Sequence, residues 1–192
     1  MSDCILQPFQ PQWAGLLLSW IASAGACLRW AGPGLGWPLS PSKLQQHQAQ
    51  ANLTPFALTR VKDSDQASLD SDSLLGYLEL LARKPDEIRL CRVICSPKHR
   101  GKGLGRELMR QGIERAFADP KVTHLSLAVF HDNLAARRCY QALGFEIVAR
   151  GQLAATETET ETETNNFPTS DTELLEMQLQ RRHWFKQNEK IF

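Results

Sequence analysis

Three observations on this chain of 192 residues predict a mixed α/β fold, a central sheet with flanking helices. Leu104, Leu108, Met109, Gly112, Ile113, Ala116 and Phe117 recur at helical spacing. Runs such as Val122 to Phe130 and Pro55 to Lys62 instead alternate with period two. The order is strands first, then strand, helix, strand, helix, strand, which calls for a sheet with helices against it. The length suffices for one domain with a sizeable core and is short for two. With 42% hydrophobic residues, the composition excludes a largely disordered chain.

Taken in order, Cys4 to Pro8 opens as a short strand, and Gln10 to Ser23 reads as a helix. Trp13 to Trp30 is apolar over much of its length. Its Ser, Gly and Ala residues make it an amphipathic or core helix rather than a membrane span. The residues before it carry no Lys or Arg, so a signal-peptide start is missing and a cytoplasmic protein is expected. Ala31 to Ser42 is rich in Gly and Pro and must be a loop. Ser42 then offers an N-cap for a short helix. Leu74 to Ala82 and Glu87 to Ser96 are strands joined by a hairpin turn. After the helix that follows Gly103, Val122 to Phe130 is a strand. Asn133 caps a second helix through Leu143, and Gly144 supplies its left-handed stop. Phe145 to Ala149 and Leu174 to Leu179 are the last strands.

A strict Thr–Glu alternation fills Thr156 to Thr164. Neither of its faces is apolar, so it reads as a solvated loop at about residues 154–170 inside a single domain spanning 1–192. The basic and aromatic tail that starts at Arg181 is expected to dock Trp184 on the body. Lys plus Arg number 22 against 21 for Asp plus Glu, which gives a net charge of +1 and no global reason for a nucleic-acid partner. The five cysteines form no CxxC and the five histidines do not cluster, so neither a metal site nor a disulfide framework is expected. Cys91 and Cys95, four apart, are expected on one face of their strand.

The informative segment runs from Arg89 to Arg110. An apolar strand enters Ser96-Pro97, continues through Arg100, Gly101, Lys102, Gly103, Leu104 and Gly105, and turns straight into a helix. Glycines on alternate positions let the backbone approach a ligand closely. The helix start adds partial positive charge, and Lys98, Arg100, Lys102 and Arg106 surround it with cations. This is an anion cradle suited to a diphosphate. The loop lacks the GK[ST] ending of a P-loop, and Arg106 stands where GxGxxG needs glycine.

Arg100 to Gly105 matches the [RQ]xxGx[GA] signature, and the chain here resembles the GNAT family of N-acetyltransferases. Asn133, Ala136, Tyr140 and Gly144-Phe145 are similar to the family's NxxAxxxY…GF segment. The resemblance spans about Leu74 to Leu179. It implies a mostly antiparallel sheet in which two parallel strands splay apart to admit the arm of acetyl-CoA, the acetyl donor. Carried onto this chain, the backbone of Val93, Ile94 and Cys95 would bind the pantetheine arm and polarise the thioester carbonyl. Gly101 to Arg106 would hold the diphosphate, Asn133 would contact the arm, and Tyr140 would protonate the departing thiolate.

The implied reaction is direct attack by the amine of a small-molecule or peptide acceptor. A ping-pong route through Cys95 is the less favoured reading, behind a plain buried cysteine. Tyr140 also fits a core aromatic, Asn133 a mere N-cap, Arg137 and Arg138 a solvated face, and His131 an ordinary loop residue. Glu79 or a water chain is the candidate base, and Trp30 and Trp37 either line the acceptor groove or belong to the core. No nucleic acid, membrane or metal partner is expected, and a homodimer is compatible with the resemblance. A CoA-binding module without catalysis is the alternative function.

Overall fold

A computed structural model describes residues 4–61, 73–153 and 173–188. The Thr–Glu repeat, residues 63–72 of the Ser/Asp-rich turn and the last four residues lie outside the described residues. Seven strands form one sheet: β1 (Cys4–Pro8), β2 (Leu53–Arg60), β3 (Leu74–Lys84), β4 (Glu87–Cys95), β5 (His124–Phe130), β6 (Glu146–Gln152) and β7 (Glu173–Gln180). Their order is β1-β2-β3-β4-β5-β7-β6. Neighbours are antiparallel except β4 and β5, which run parallel, as the resemblance implied.

The helices are α1 (Ala14–Ser19), α2 (Ala24–Ala31), α3 (Pro41–Gln48), α4 (Leu104–Ala116), α5 (Leu134–Ala142) and α6 (Arg181–Asn188). Alternation along each strand sends side chains to two separate cores. On one face Trp13 and Leu17 from the N-terminal helices and Leu44 from α3 bury against Ala57 and Tyr77. On the other, Leu108, Met109 and Ile113 of α4 pack on Leu58, Leu78 and Leu90, together with Phe145 and Leu179. Trp184 on α6 is buried in this second core, so the tail docks as expected. No helix among the described residues is long and apolar enough to cross a membrane.

Three local expectations are corrected. The helix expected over Gln10 to Ser23 is a short 3-10 turn at Pro11–Trp13 followed by α1, and the apolar stretch to Trp30 breaks into two helices. The Ser19 hydroxyl donates to the Leu16 carbonyl (2.6 Å), and Ser23 starts α2 anew by accepting from the Ala26 N–H (3.2 Å). Serine at these points competes for backbone groups that a continuous helix needs. The next helix begins two residues earlier than expected. Ser40, not Ser42, is the N-cap, because Pro41 fits the first helical position where no N–H is required.

The third correction concerns Cys91 and Cys95. Glu79 of β3 pairs with Cys91 while Tyr77 pairs with Ile94, so Leu78 alone faces both Arg92 and Val93. This β-bulge adds one residue to β4 and reverses the alternation beyond it. Cys91 therefore shares the face of Glu79, and Cys95 shares the opposite face of Gly76, whose Cβ position meets Leu108 of α4.

Leu108 is fully buried at the centre of the second core. Leu108→Ala is expected to destabilise the fold by about 2–5 kcal/mol. Urea unfolding should show this as a lower midpoint with an unchanged slope.

Candidate active site

The two parallel strands pair over only three residues, Glu87 with His124, Ile88 with Leu125 and Arg89 with Ser126. Beyond that point β4 continues to Cys95 against β3, and β5 continues to Phe130 against β7. The strands part, and a cavity of about 260 Å³ opens between them. Its walls include Leu90 to Val93 of β4, Leu127 to Phe130 of β5, and Arg29 and Trp30 of α2. Asn133 and Tyr140 complete it from α5.

Three arginines line this cavity, and each is held by a carboxylate from outside it. Arg29 pairs with Asp132 (2.5 Å), Arg89 makes a bidentate pair with Glu176 (2.8 Å for each bond), and Arg92 pairs with Glu79 (2.6 Å). Arg29 also lies over the Phe130 ring, 4.7 Å from its centroid, which ties α2 to the end of β5.

Of the residues singled out from sequence, Val93, Asn133 and Tyr140 meet at the cavity. Asn133 caps α5 by accepting from the Ala136 N–H (3.3 Å) and stands exposed at the cavity rim. Tyr140 is buried, and that burial, with the Cys139 and Cys95 thiols nearby, pushes its phenol above the ordinary range. It stays a neutral proton donor at any working pH. Ile94 and Cys95 do not line the cavity. Ile94 packs toward the α1 and α3 core, and Cys95 toward α4. Burial pushes the Cys95 thiol up to about 11, with Cys139 adding to the shift, so the group is a thiol and not a thiolate at neutral pH.

The glycine loop lies where β4 runs into α4, outside the lining of the cavity. Gly101 and Gly103 have φ of +74° and +79°, conformations that favour glycine, and a Cβ at either would meet nothing within 4 Å. Gly103 is the N-cap of α4 and has no side chain to close the first turn. The Arg106 N–H donates to the Gly103 carbonyl (3.0 Å), no side chain caps the helix start, and Arg100, Lys102 and Arg106 stand exposed beside it. Both the open gap and this cradle fit a ligand with an extended arm and a diphosphate. Such an arm can lie along strand backbone that lacks a partner, while an anion sits on the helix start.

Sequence reasoning missed a buried polar network on the α3 side of β4. The Tyr77 hydroxyl donates to Glu79 Oε1 (2.6 Å), Arg92 donates to Glu79 Oε2 (2.6 Å), and His47 Nε2 lies 3.1 Å from the same oxygen. Burial alone would raise the Glu79 pKa, but His47, Arg92 and Tyr77 outweigh it and hold the carboxyl below its usual range. That is the wrong direction for a group that must take a proton near neutral pH. Only the bulge brings Arg92 to Glu79, and no spacing in the sequence marks it. Trp30 lines the cavity, whereas Trp37 is exposed. Arg137 is half-buried and donates to the His131 carbonyl (2.7 Å), so it does not belong to a solvated face. Among the described residues no group of three or more His, Cys, Asp or Glu is arranged to hold a metal ion.

The profile of the acetyltransferase (GNAT) family matches residues 26–145. An N-acetyltransferase 9-like protein of Nematostella vectensis is 23% identical over 127 residues, covering 65% of this chain and 64% of that protein. An aminoglycoside N(6')-acetyltransferase type 1 of Klebsiella pneumoniae is 40% identical over 55 residues, 29% of this chain and 27% of that one. The matches thus span less than two thirds of these curated relatives. Among solved structures, spermidine N-acetyltransferase from Vibrio cholerae in complex with CoA and spermine superposes with a TM-score of 0.69 at 15% identity, covering 95% of this chain and 98% of that one. An aminoglycoside acetyltransferase in complex with coenzyme A and kanamycin gives 0.66 at 20% identity, covering 97% and 99%. These likenesses show a shared fold.

The state of Cys95 is directly measurable. Alkylation by iodoacetamide, followed by mass spectrometry, should leave it unlabelled at pH 8 under native conditions. Its labelling rate should rise about tenfold per pH unit toward pH ~11, because only the thiolate reacts.

Proposed function

The chain belongs to the acetyltransferase (GNAT) family, and from that premise we propose that it is an acetyl-CoA-dependent N-acetyltransferase whose acceptor is a primary amine on a small molecule or peptide. The parting of β4 from β5 after Arg89 and Ser126, with Tyr140 on the wall of the gap, carries this reading. Acetyl-CoA, when bound, supplies a thioester carbonyl for the acceptor amine to attack.

This chain's own residues bind, orient and manage the proton. The backbone of Val93, Ile94 and Cys95 would hold the pantetheine arm as an added strand would be held, with a β4 N–H donating to the thioester oxygen. The loop from Arg100 through Gly101, Lys102, Gly103, Leu104 and Gly105 to Arg106 would hold the diphosphate. Asn133 would contact the arm from the rim while capping α5. The Tyr140 phenol, kept neutral by burial, would hold the proton that the leaving sulfur takes. The raised Cys95 pKa supports direct attack by the amine, since a protonated thiol is a poor nucleophile.

The similar proteins act, by their names, on spermidine and aminoglycosides, and a small polar amine of that kind is the first acceptor class for this chain. A single domain over 1–192, a cytoplasmic location and pairing into a homodimer remain parts of the same proposal.

Thermal unfolding with acetyl-CoA at ~100 times its dissociation constant should show stabilisation of about 2.7 kcal/mol. An Arg100→Glu, Gly103→Glu variant should lose it. No shift at saturating acetyl-CoA in the unaltered protein would overturn the reading. Tyr140→Phe should bind acetyl-CoA normally yet turn over an accepted amine about 100-fold or more slowly, read by thiol release. Cofactor binding with no thiol release from any amine would instead leave a CoA-binding module without catalysis.

A further inference from the structure

The β4 bulge is built on a residue that resists its own conformation. Arg92 has φ of +50°, the only non-glycine residue with positive φ among the described residues, and a side chain with a Cβ disfavours that region. Such a conformation persists only where its surroundings over-determine it. Here two separate contacts do so. The Trp30 indole N–H donates to the Arg92 carbonyl (2.8 Å), and the Arg92 guanidinium donates to Glu79 (2.6 Å).

Each contact is anchored in turn. Trp30 packs its ring on Tyr77, with centroids 6.0 Å apart. Glu79 is fully buried and accepts from Tyr77 and from the α3 side through His47, while Gln48 donates to the Tyr77 hydroxyl (2.8 Å). A buried ion pair of this kind is weak evidence for stability, because desolvation offsets its attraction. What it does supply is a fixed geometry, and the geometry it fixes belongs to the residue next to Val93 on the cavity wall.

We propose that Trp30 and Glu79 are positioning residues. Gripping Arg92 by its carbonyl and its guanidinium, they hold the β4 bulge so that the Val93 backbone stays at the wall of the β4–β5 gap, ready for an acyl-CoA arm. The inference rests on the cofactor reading above and adds the two residues that fix its oxyanion-side backbone. Neither needs to touch the reacting atoms. Trp30 acts from α2 and Glu79 from β3, which lets two otherwise unrelated elements set one backbone conformation.

Calorimetric titration of Trp30→Phe and Glu79→Gln tests this, with acetyl-CoA and with the phosphoadenosine diphosphate half of CoA as the two probes. Phe keeps a ring against Tyr77 but has no N–H to donate, and Gln keeps the shape of Glu79 without its charge. Each variant should bind acetyl-CoA about tenfold more weakly, the size of one lost hydrogen bond. Each should bind the nucleotide half within about twofold of the unaltered protein, because the glycine loop is untouched. The two losses should not add in the double variant, since both act through Arg92.

Trp30 itself lines the gap and Glu79 does not, so a matching loss in Glu79→Gln separates transmission through Arg92 from a direct ring contact. Unchanged acetyl-CoA affinity in the variants, or equal weakening of both probes, would overturn the clamp alone. An unaltered protein that binds neither probe would overturn the cofactor reading and the clamp with it. Should Glu79→Gln not fold, Glu79→Asp takes its place in the same comparison, since it keeps the charge but draws the carboxylate back from Arg92 and does not line the gap.

Discussion

Two parallel strands that stop pairing partway leave facing rows of backbone N–H and C=O groups with no protein partner between them. In this chain β4 and β5 separate after Arg89 and Ser126, and the arrangement of the site follows from that separation. Unpaired strand backbone is a template for an added extended segment. A thioester-bearing arm that offers its own amide groups can complete the ladder where no third strand exists. The same parting lets α5 bring Asn133 and Tyr140 to the cavity and lets α2 close the opposite wall with Arg29 and Trp30.

The separation needs support from both sides. On β4 the support is the bulge at Arg92 and Val93, held at one end by Trp30 and at the other by Glu79. On β5 it is the full antiparallel pairing with β7, from His124 against Gln180 to Phe130 against Leu174. Arg89, at the fork itself, forms its bidentate pair with Glu176 across β5. Three cations around one cavity would repel a further cation and one another. Each instead has a carboxylate partner outside the cavity, so the lining presents hydrogen-bond donors without an uncompensated charge.

Chemistry divides along the same line. In the proposed reading the phosphate-binding part is the turn from β4 into α4, where left-handed glycines meet a helix start that no side chain caps. In the same reading the acyl-transfer part is the gap, with Tyr140 on its wall; burial favours the neutral form of Tyr140 and, toward α4, of Cys95 alike. A neutral phenol is a usable acid. A neutral thiol is a poor nucleophile, and that asymmetry would separate their proposed roles although both groups pack into the same core.

The amino-acid sequence by itself determined the features that depend on residues close along the chain. These are the α4 period, the Asn133 cap, the Gly144 stop, the alternating strands and the glycine turn after Pro97, and each appears within about three residues of its expected place. They were legible because a helix turn, a cap or a left-handed stop is decided by side chains three or four positions apart. The family resemblance implied the splay, which the structure shows, and the roles proposed for Val93, Asn133 and Tyr140. What only the tertiary structure decided depends on partners far apart in sequence. Arg92 meets Glu79 and Trp30 because strand pairing and helix packing bring them together, so the bulge and the reversed faces of Cys91 and Cys95 left no local mark. The break of Trp13 to Trp30 into two helices was hidden for a related reason. A serine reads alike as a helix residue or a cap until the packing of Trp13 and Leu17 into one core and Trp30 against the bulge fixes where the chain must turn.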